Sequence, residues 1–215
     1  MIKNGEVSVN GEVVTTLGTK VVPGEDIIKW KGHPVVPQDH IYILLNKPKN
    51  TITTADDPEG RKTVLDIIEG ASRGMRVYPV GRLDRNTTGL LLLTNDGDLA
   101  EKLMHPSHNV RKLYHAKLDR EITEEDLTKL KKGIELEDGL AKADKVSIVD
   151  GAEANEIGIE IHSGKNRIVR RMFEALGYEV KYLDRVAFAS LTKKDLPRGR
   201  WRYLTEKELN FLKMI

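Results

Sequence analysis

The segment Gly81-Arg82-Leu83-Asp84-Arg85-Asn86-Thr87-Thr88-Gly89 sets one carboxylate between two arginines, just ahead of the apolar run Leu90–Leu93. An aspartate in such a field is expected to act as an anion, hence as a nucleophile and not as a proton donor. The plainer alternative is an aspartate that only shapes a turn, a frequent use of that residue type. A second concentration of chemistry is GKNRIVRRMFEALG, Gly164 to Gly177. Helical spacing over Asn166–Leu176 gathers Ile168, Val169, Met172, Phe173 and Leu176 on one arc and sets Arg167, Arg170, Arg171 and Glu174 opposite. Such a basic face either meets the phosphates of a polyanion or is simply solvated.

Residue types exclude several other chemistries. The 215-residue chain contains no cysteine, which removes disulfides, thiolate zinc sites and cysteine nucleophiles. Gly158 to Lys165 ends in Gly-Lys, but its spacing is one residue too long for a phosphate-cradling loop and no Ser or Thr follows. Neither G-x-G-x-x-G nor H-E-x-x-H occurs, and Pro106 separates His105 from His108. No metal and no cofactor are expected. No apolar run approaches a membrane span and no signal-peptide segment opens the chain, so a cytoplasmic protein with no membrane partner is expected.

The net charge is only +2, but it is unevenly spread. Ile161 to Arg202 holds eleven basic residues against four acidic ones, whereas Asp119 to Asp138 holds eight acids and four bases. One side able to face a polyanion and one acidic outward side would account for this.

The elements that must position these groups read as an α+β mixture without the rhythm of a parallel, doubly wound sheet. Val7, Val9 and Val13 alternate around Asn10-Gly11, a hairpin signal, and Ile27–Trp30 is strand-like. Residues 33–40, with two prolines and just after Gly32, read as a linker after an N-terminal piece too short to bury its own core. Beyond it come strands at Ile41–Leu45, Val77–Val80, Leu90–Leu93, Val146–Val149 and Ile157–Ile161. Short helices are expected at Thr63–Ile68 and Leu99–Met104, from Thr123 to Gly133 behind a capping box with Asp126, over Asn166–Leu176, and from Thr205 with Glu208.

Taken together, GRLDRNTTGLLLLTNDG at Gly81–Gly97, NKPK at Asn46–Lys49, GRKTVLDII at Gly60–Ile68, HPS at His105–Ser107, RKLYHAKL at Arg111–Leu118, the basic helix and WRYLTEKEL at Trp201–Leu209 resemble the bacterial ribosomal RNA pseudouridine synthases. The resemblance is to the type-A enzymes of small-subunit RNA and the type-B enzymes of large-subunit RNA, with type B the nearer, and it covers nearly the whole chain. It implies a catalytic domain over residues 41–215 with a mixed, largely antiparallel sheet and flanking helices. GEVSVNGEVV with LGTKV at Leu17–Val21 resembles the second half of an S-four-type RNA-binding domain. Residues 1–32 are therefore expected to be a partial module of that kind, lacking its leading helices.

Carried onto this sequence, the family's catalytic set falls on Asp84, Tyr114 and Arg170. The implied reaction isomerises a specific uridine of ribosomal RNA, with large-subunit RNA the expected substrate, free or in a ribosome-assembly intermediate. An ionised carboxylate can meet the positive character that develops at the sugar when the glycosidic bond breaks. Arg170 would hold that carboxylate and Tyr114 would stack on the flipped base. Arg82, Lys112, Lys165, Asn166, Arg167 and Arg171 are expected to bind the RNA, and the chain is expected to act as a monomer. Two positions depart from the family pattern: Ile168 stands at a usual glutamine and Ala189 at a usual glycine. The rival is a catalytically idle RNA-binding or ribosome-assembly protein on the same fold. A pure binder has no need of Asp84, Tyr114 and Arg170 together. A carbon-five uracil methyltransferase fails on the absent cysteine.

Overall fold

Ile43, Leu45, Leu91 and Leu93 face one hydrophobic core, while Tyr42, Leu44, Leu90 and Leu92 face another. Alternate residues of a strand point to opposite faces, so an unbroken apolar run requires cover on both sides. The computed structural model describes residues 1–22, 24–35 and 39–215. It divides into two compact units, Met1–Asp39 and His40–Ile215.

In the first unit β1 (Val7–Val9), β2 (Glu12–Val14), β3 (Ile28–Trp30) and β4 (His33–Pro34) form a sheet in the order β2-β1-β3-β4. Asn10 and Gly11 both have positive φ, 52° and 90°, as a two-residue hairpin turn demands. The Asn10 side chain also accepts from the Ile27 amide at 2.8 Å and donates to Asp26, which ties the turn to the approach to β3. Pairing of His33 with Trp30 and Pro34 with Lys29 carries the sheet into the stretch read as linker. Residues 36–38 of that stretch lie outside the described residues.

The second unit is built on β5 (Tyr42–Lys47), β6 (Tyr78–Pro79), β7 (Thr88–Thr94), β8 (Lys112–Leu118), β11 (Lys145–Ile148), β12 (Glu156–Ile161), β13 (Val180–Phe188), β14 (Leu191–Thr192) and β15 (Trp201–Tyr203). Seven of these run in the order β11-β12-β8-β13-β7-β5-β15, with β6 paired to β7 and β14 to β13. Every pairing is antiparallel except β7 with β13. The mixed, largely antiparallel sheet of an α+β fold is thus present. A separate hairpin joins β9 (Ile134–Leu136) to β10 (Gly139–Ala141).

Helices α1 (Val64–Ile68), α3 (Glu124–Lys132) and α4 (Ile168–Ala175) cover the first face; α2 (Gly97–Met104) and α5 (Glu206–Lys213) cover the second. Thr63 and Thr205 open α1 and α5 with full capping boxes. Thr123 caps α3 by accepting from the Asp126 amide, but the Asp126 carboxylate is drawn off to Lys129 and the Tyr178 hydroxyl, so the expected box is only half made. No described helix is long and apolar enough to cross a membrane.

Two strands central to the sheet, β8 and β13, have no counterpart in the sequence-based element reading. In β13 the residues Lys181, Asp184 and Arg185 imitate a solvated segment, yet Asp184 and Arg185 are only 1% and 3% exposed. The parallel contact also depends on Gly89, whose φ is +109°. A Cβ there would fall 2.2 Å from the Arg185 carbonyl oxygen.

Candidate active site

Asp84 lies on the loop that joins β6 to β7, and the main chain of that loop is clamped from below. Lys47, the last residue of β5, is fully buried. Its Nζ donates to the carbonyls of Asp84 at 3.0 Å, Arg85 at 3.3 Å and Thr87 at 2.8 Å. Burial pushes this lysine down to about 8, against the opposing pull of the Asp84 charge. Thr53 adds a second tie: its hydroxyl donates to the Leu83 carbonyl at 2.9 Å and accepts from the Leu83 amide. The Thr87 amide closes the turn on the Asp84 carbonyl at 3.1 Å.

The Asp84 carboxylate faces two guanidinium groups. Nη1 of Arg167 donates to its Oδ2 at 3.3 Å, and Nε of Arg170 stands 3.8 Å from the same oxygen. Nη1 of Arg170 donates to the Val180 carbonyl at 2.8 Å, which moors that arginine to β13. The sequence reading assigned Arg167 to phosphates and began the helix at Asn166. In the structure α4 begins at Ile168, because Arg167 takes a left-handed conformation with φ 49° at the N-cap. That kink points its side chain at Asp84 and, more loosely, at Glu174, 3.5 Å away.

Tyr114 sits in β8 opposite Ile159 of β12 and Arg185 of β13. It is 8% exposed, and what remains open faces a cavity of about 500 Å³ shared with Asp84. Arg82, Lys112, Lys165, Asn166 and Arg167 line the same cavity. Arg82 is exposed at its edge. Lys112 is mostly committed, donating to the carbonyls of Val110 at 3.0 Å and His162 at 2.8 Å. Burial, with the charge of Arg185, holds it down at about 8. Lys165 donates to the Asp138 carbonyl at 2.6 Å. Arg170 and Arg171 do not line the cavity: the first stands behind Asp84, and the second forms a two-pronged pair with Asp138 at 2.5 and 3.0 Å. Ile168 lines it and is buried.

Lys47 and Arg185 were absent from the sequence-based site. Lys47 had one cue, a lysine before a proline at the end of an apolar strand. Arg185 had none beyond its membership of a basic stretch. Among the described residues, no group of three or more His, Asp or Glu side chains is placed to hold a metal ion.

The geometry therefore offers a fixed carboxylate, an aromatic wall and a cationic lining around one cavity. The family model described as RNA pseudouridylate synthase matches residues 41–175. A "Ribosomal large subunit pseudouridine synthase B" of Bacillus subtilis (strain 168) is 45% identical over 218 residues, covering 100% of this chain and 88% of that protein. The protein of the same name in Vibrio cholerae is 39% identical, covering 99% and 68%. An "Uncharacterized RNA pseudouridine synthase" of Aquifex aeolicus is 44% identical, covering 97% and 84%. Among solved structures, one titled "Crystal structure of pseudouridylate synthase" superposes with a TM-score of 0.75 at 29% identity, over 98% of this chain and 90% of that one.

Proposed function

This chain belongs to the RNA pseudouridylate synthase family, and from that premise we propose that it isomerises a specific uridine of large-subunit ribosomal RNA with Asp84 as its nucleophile. The observation that carries the reading is the Asp84 carboxylate, on a loop clamped by Lys47, opening into the cavity walled by Tyr114. Uridine, flipped from its strand, enters that cavity and its base lies against the Tyr114 ring. The bond between C1′ and the base N1 breaks, and the Asp84 carboxylate covers C1′. The freed base turns, C5 bonds to C1′ as the carboxylate leaves, the C5 proton departs and N1 takes up a proton. Reactant and product have the same atoms and oxidation level, so the reaction consumes no cofactor.

Arg167 and Arg170 flank the carboxylate and keep it aimed at the cavity. Arg82, Lys165 and Asn166 meet the RNA around the cavity, and Arg171 does so by exchanging Asp138 for phosphate. Residues 1–32 serve as an S-four-like segment that adds RNA contact, joined through 33–40 to the catalytic domain of residues 41–215. A single chain supplies every group named, which fits action as a monomer on ribosomal RNA or an assembly intermediate in the cytoplasm. Large-subunit RNA is chosen over small-subunit RNA because the Bacillus and Vibrio relatives carry that name.

The test is to map pseudouridines in ribosomal RNA from cells with and without the gene. It is paired with tritium release from C5-labelled ribosomal RNA by the purified protein. One large-subunit site should disappear with the gene, and the protein should release tritium from that RNA. Identical maps with no tritium release would leave an idle binder as the reading.

A further inference from the structure

Arg185 is a buried guanidinium whose charge the fold leaves largely unspent. It lies in β13 directly across from Tyr114 and lines the same cavity. Its Nε donates to the Leu90 carbonyl at 2.7 Å, and its Cζ lies over the Phe188 ring, 4.8 Å from the centroid. Nη2 is buried without a hydrogen-bond partner, and Nη1 makes no hydrogen bond to a described residue. Asp184, its neighbour in sequence, is taken up by Thr88, Lys193 and Arg198. Among the described residues no carboxylate comes within ion-pair distance of Arg185. Burying a guanidinium with donors unmet is costly, and a ligand oxygen is the natural remedy.

The depth of the group selects the ligand. Arg82 and Arg85 are exposed on the same cavity, where the phosphates of an RNA strand would run, whereas Arg185 is only 3% exposed. A backbone phosphate stays outside with the strand; the part of RNA that reaches the buried side of the pocket is the flipped base. Lys112 lies two residues before Tyr114 on the same strand and is close enough to feel the Arg185 charge, so this end of the cavity is doubly cationic. Ring, fork and cation are thus arranged for a flat group with oxygen at its edge.

Resting on the uridine-isomerase reading, we propose that Arg185 is the uracil-binding residue of this site, donating from Nη1 to an exocyclic carbonyl oxygen of the flipped base. The same contact serves the reaction. When the C1′–N1 bond breaks, its electron pair stays with the base and spreads from N1 to the exocyclic oxygens, while Asp84 covers C1′. A guanidinium already fixed at that oxygen stabilises the charge where it develops. Once C5 bonds to C1′ the charge returns to the Asp84 carboxylate, and loss of the C5 proton with uptake of one at N1 leaves the base neutral.

The test compares binding of oligouridylate with binding of an abasic oligomer of equal length, which keeps the phosphates and lacks the base. The full-length protein is used as wild type, Arg185→Met and Arg185→Lys. The lysine retains a donor for the Leu90 carbonyl but removes the fork, so it carries the test alone if Arg185→Met does not fold. Both variants should lose about tenfold in affinity for oligouridylate, the scale of one hydrogen bond to a charged group, and bind the abasic oligomer as wild type does. Their single-turnover rate on ribosomal RNA should fall with the melting temperature of Arg185→Lys unchanged. Equal losses for both oligomers with a reduced salt slope would make Arg185 a phosphate contact. Equal losses with a lowered melting temperature would make it a sheet tie, and either result overturns the proposal. Because the comparison needs neither turnover nor a known target site, it remains decisive if the ribosomal assignment fails.

Discussion

Lys47 Nζ donates to the carbonyl oxygen of Asp84 at 3.0 Å, so the strand that ends at Lys47 sets the height of the carboxylate above the sheet. The same ammonium holds Thr87 at 2.8 Å. Lys47→Met should leave those buried carbonyls unmet and cost about 3 kcal/mol in urea unfolding. In protein that remains folded, single-turnover rates should drop about a hundredfold, as small misplacements of reacting groups do. Near-normal rates would show that the loop keeps its shape without the clamp.

Asp84→Asn should abolish tritium release from C5-labelled RNA while RNA affinity changes little, since the lost group acts only as the glycosidic bond breaks. Removing its charge also frees Arg167, whose nearest remaining acid is Glu174 at 3.5 Å. Turnover at the wild-type rate would remove Asp84 from the chemistry.

Gly89→Ala should fail to give soluble, folded protein. The φ of +109° and a Cβ only 2.2 Å from the Arg185 carbonyl oxygen leave no rotamer to relieve the clash, because both sides are backbone. A cost above about 4 kcal/mol is expected. A variant that melts cooperatively near the wild-type temperature would show that β7 and β13 can separate.

Asp184 is held at about 2: burial raises it, but hydrogen bonds from Arg198, Lys193 and Thr88 outweigh burial. A carboxylate lowered on folding stabilises the protein above its unfolded value, and that contribution is lost as pH falls through the folded value. Asp184→Asn should therefore be less stable than wild type by roughly 3 kcal/mol at neutral pH. The gap should narrow between pH about 4 and about 2. Urea titrations across that range would show it, and a gap independent of pH would mean that the pair does not control acid stability.

Ala189 has φ 51° at the turn between β13 and β14, a left-handed conformation that costs an L-residue about 1 kcal/mol or more. Ala189→Gly should stabilise the protein by roughly 0.5 kcal/mol, after the extra freedom glycine gives the unfolded chain. A lower melting temperature would show that the methyl group contributes packing against the second core, which outweighs the strain.

Where function and local pattern coincide, the sequence was readable. The Asp84 loop declared itself by a carboxylate among arginines before an apolar run, and the run itself declared a strand covered on both faces. Helices opened by Thr123 and Thr205 were visible because a capping residue and its partner lie within one turn of each other. β13 was not visible, because its charged residues are buried by partners far along the chain: Thr88 lies 96 residues before Asp184. The fate of the basic helix was hidden for the same reason. Arg171 finds Asp138, 33 residues away, and Arg167 finds Asp84, 83 residues away.

By itself the sequence determined the family and the α+β character and singled out the carboxylate proposed as nucleophile, since each is written in side-chain type and short spacing. Tertiary structure alone decided which cations face that carboxylate, which are neutralised elsewhere, and which is left without an acidic partner in the cavity lining. Charge is a property of a residue, but its use depends on distance and burial, and both arise only when remote strands are brought side by side.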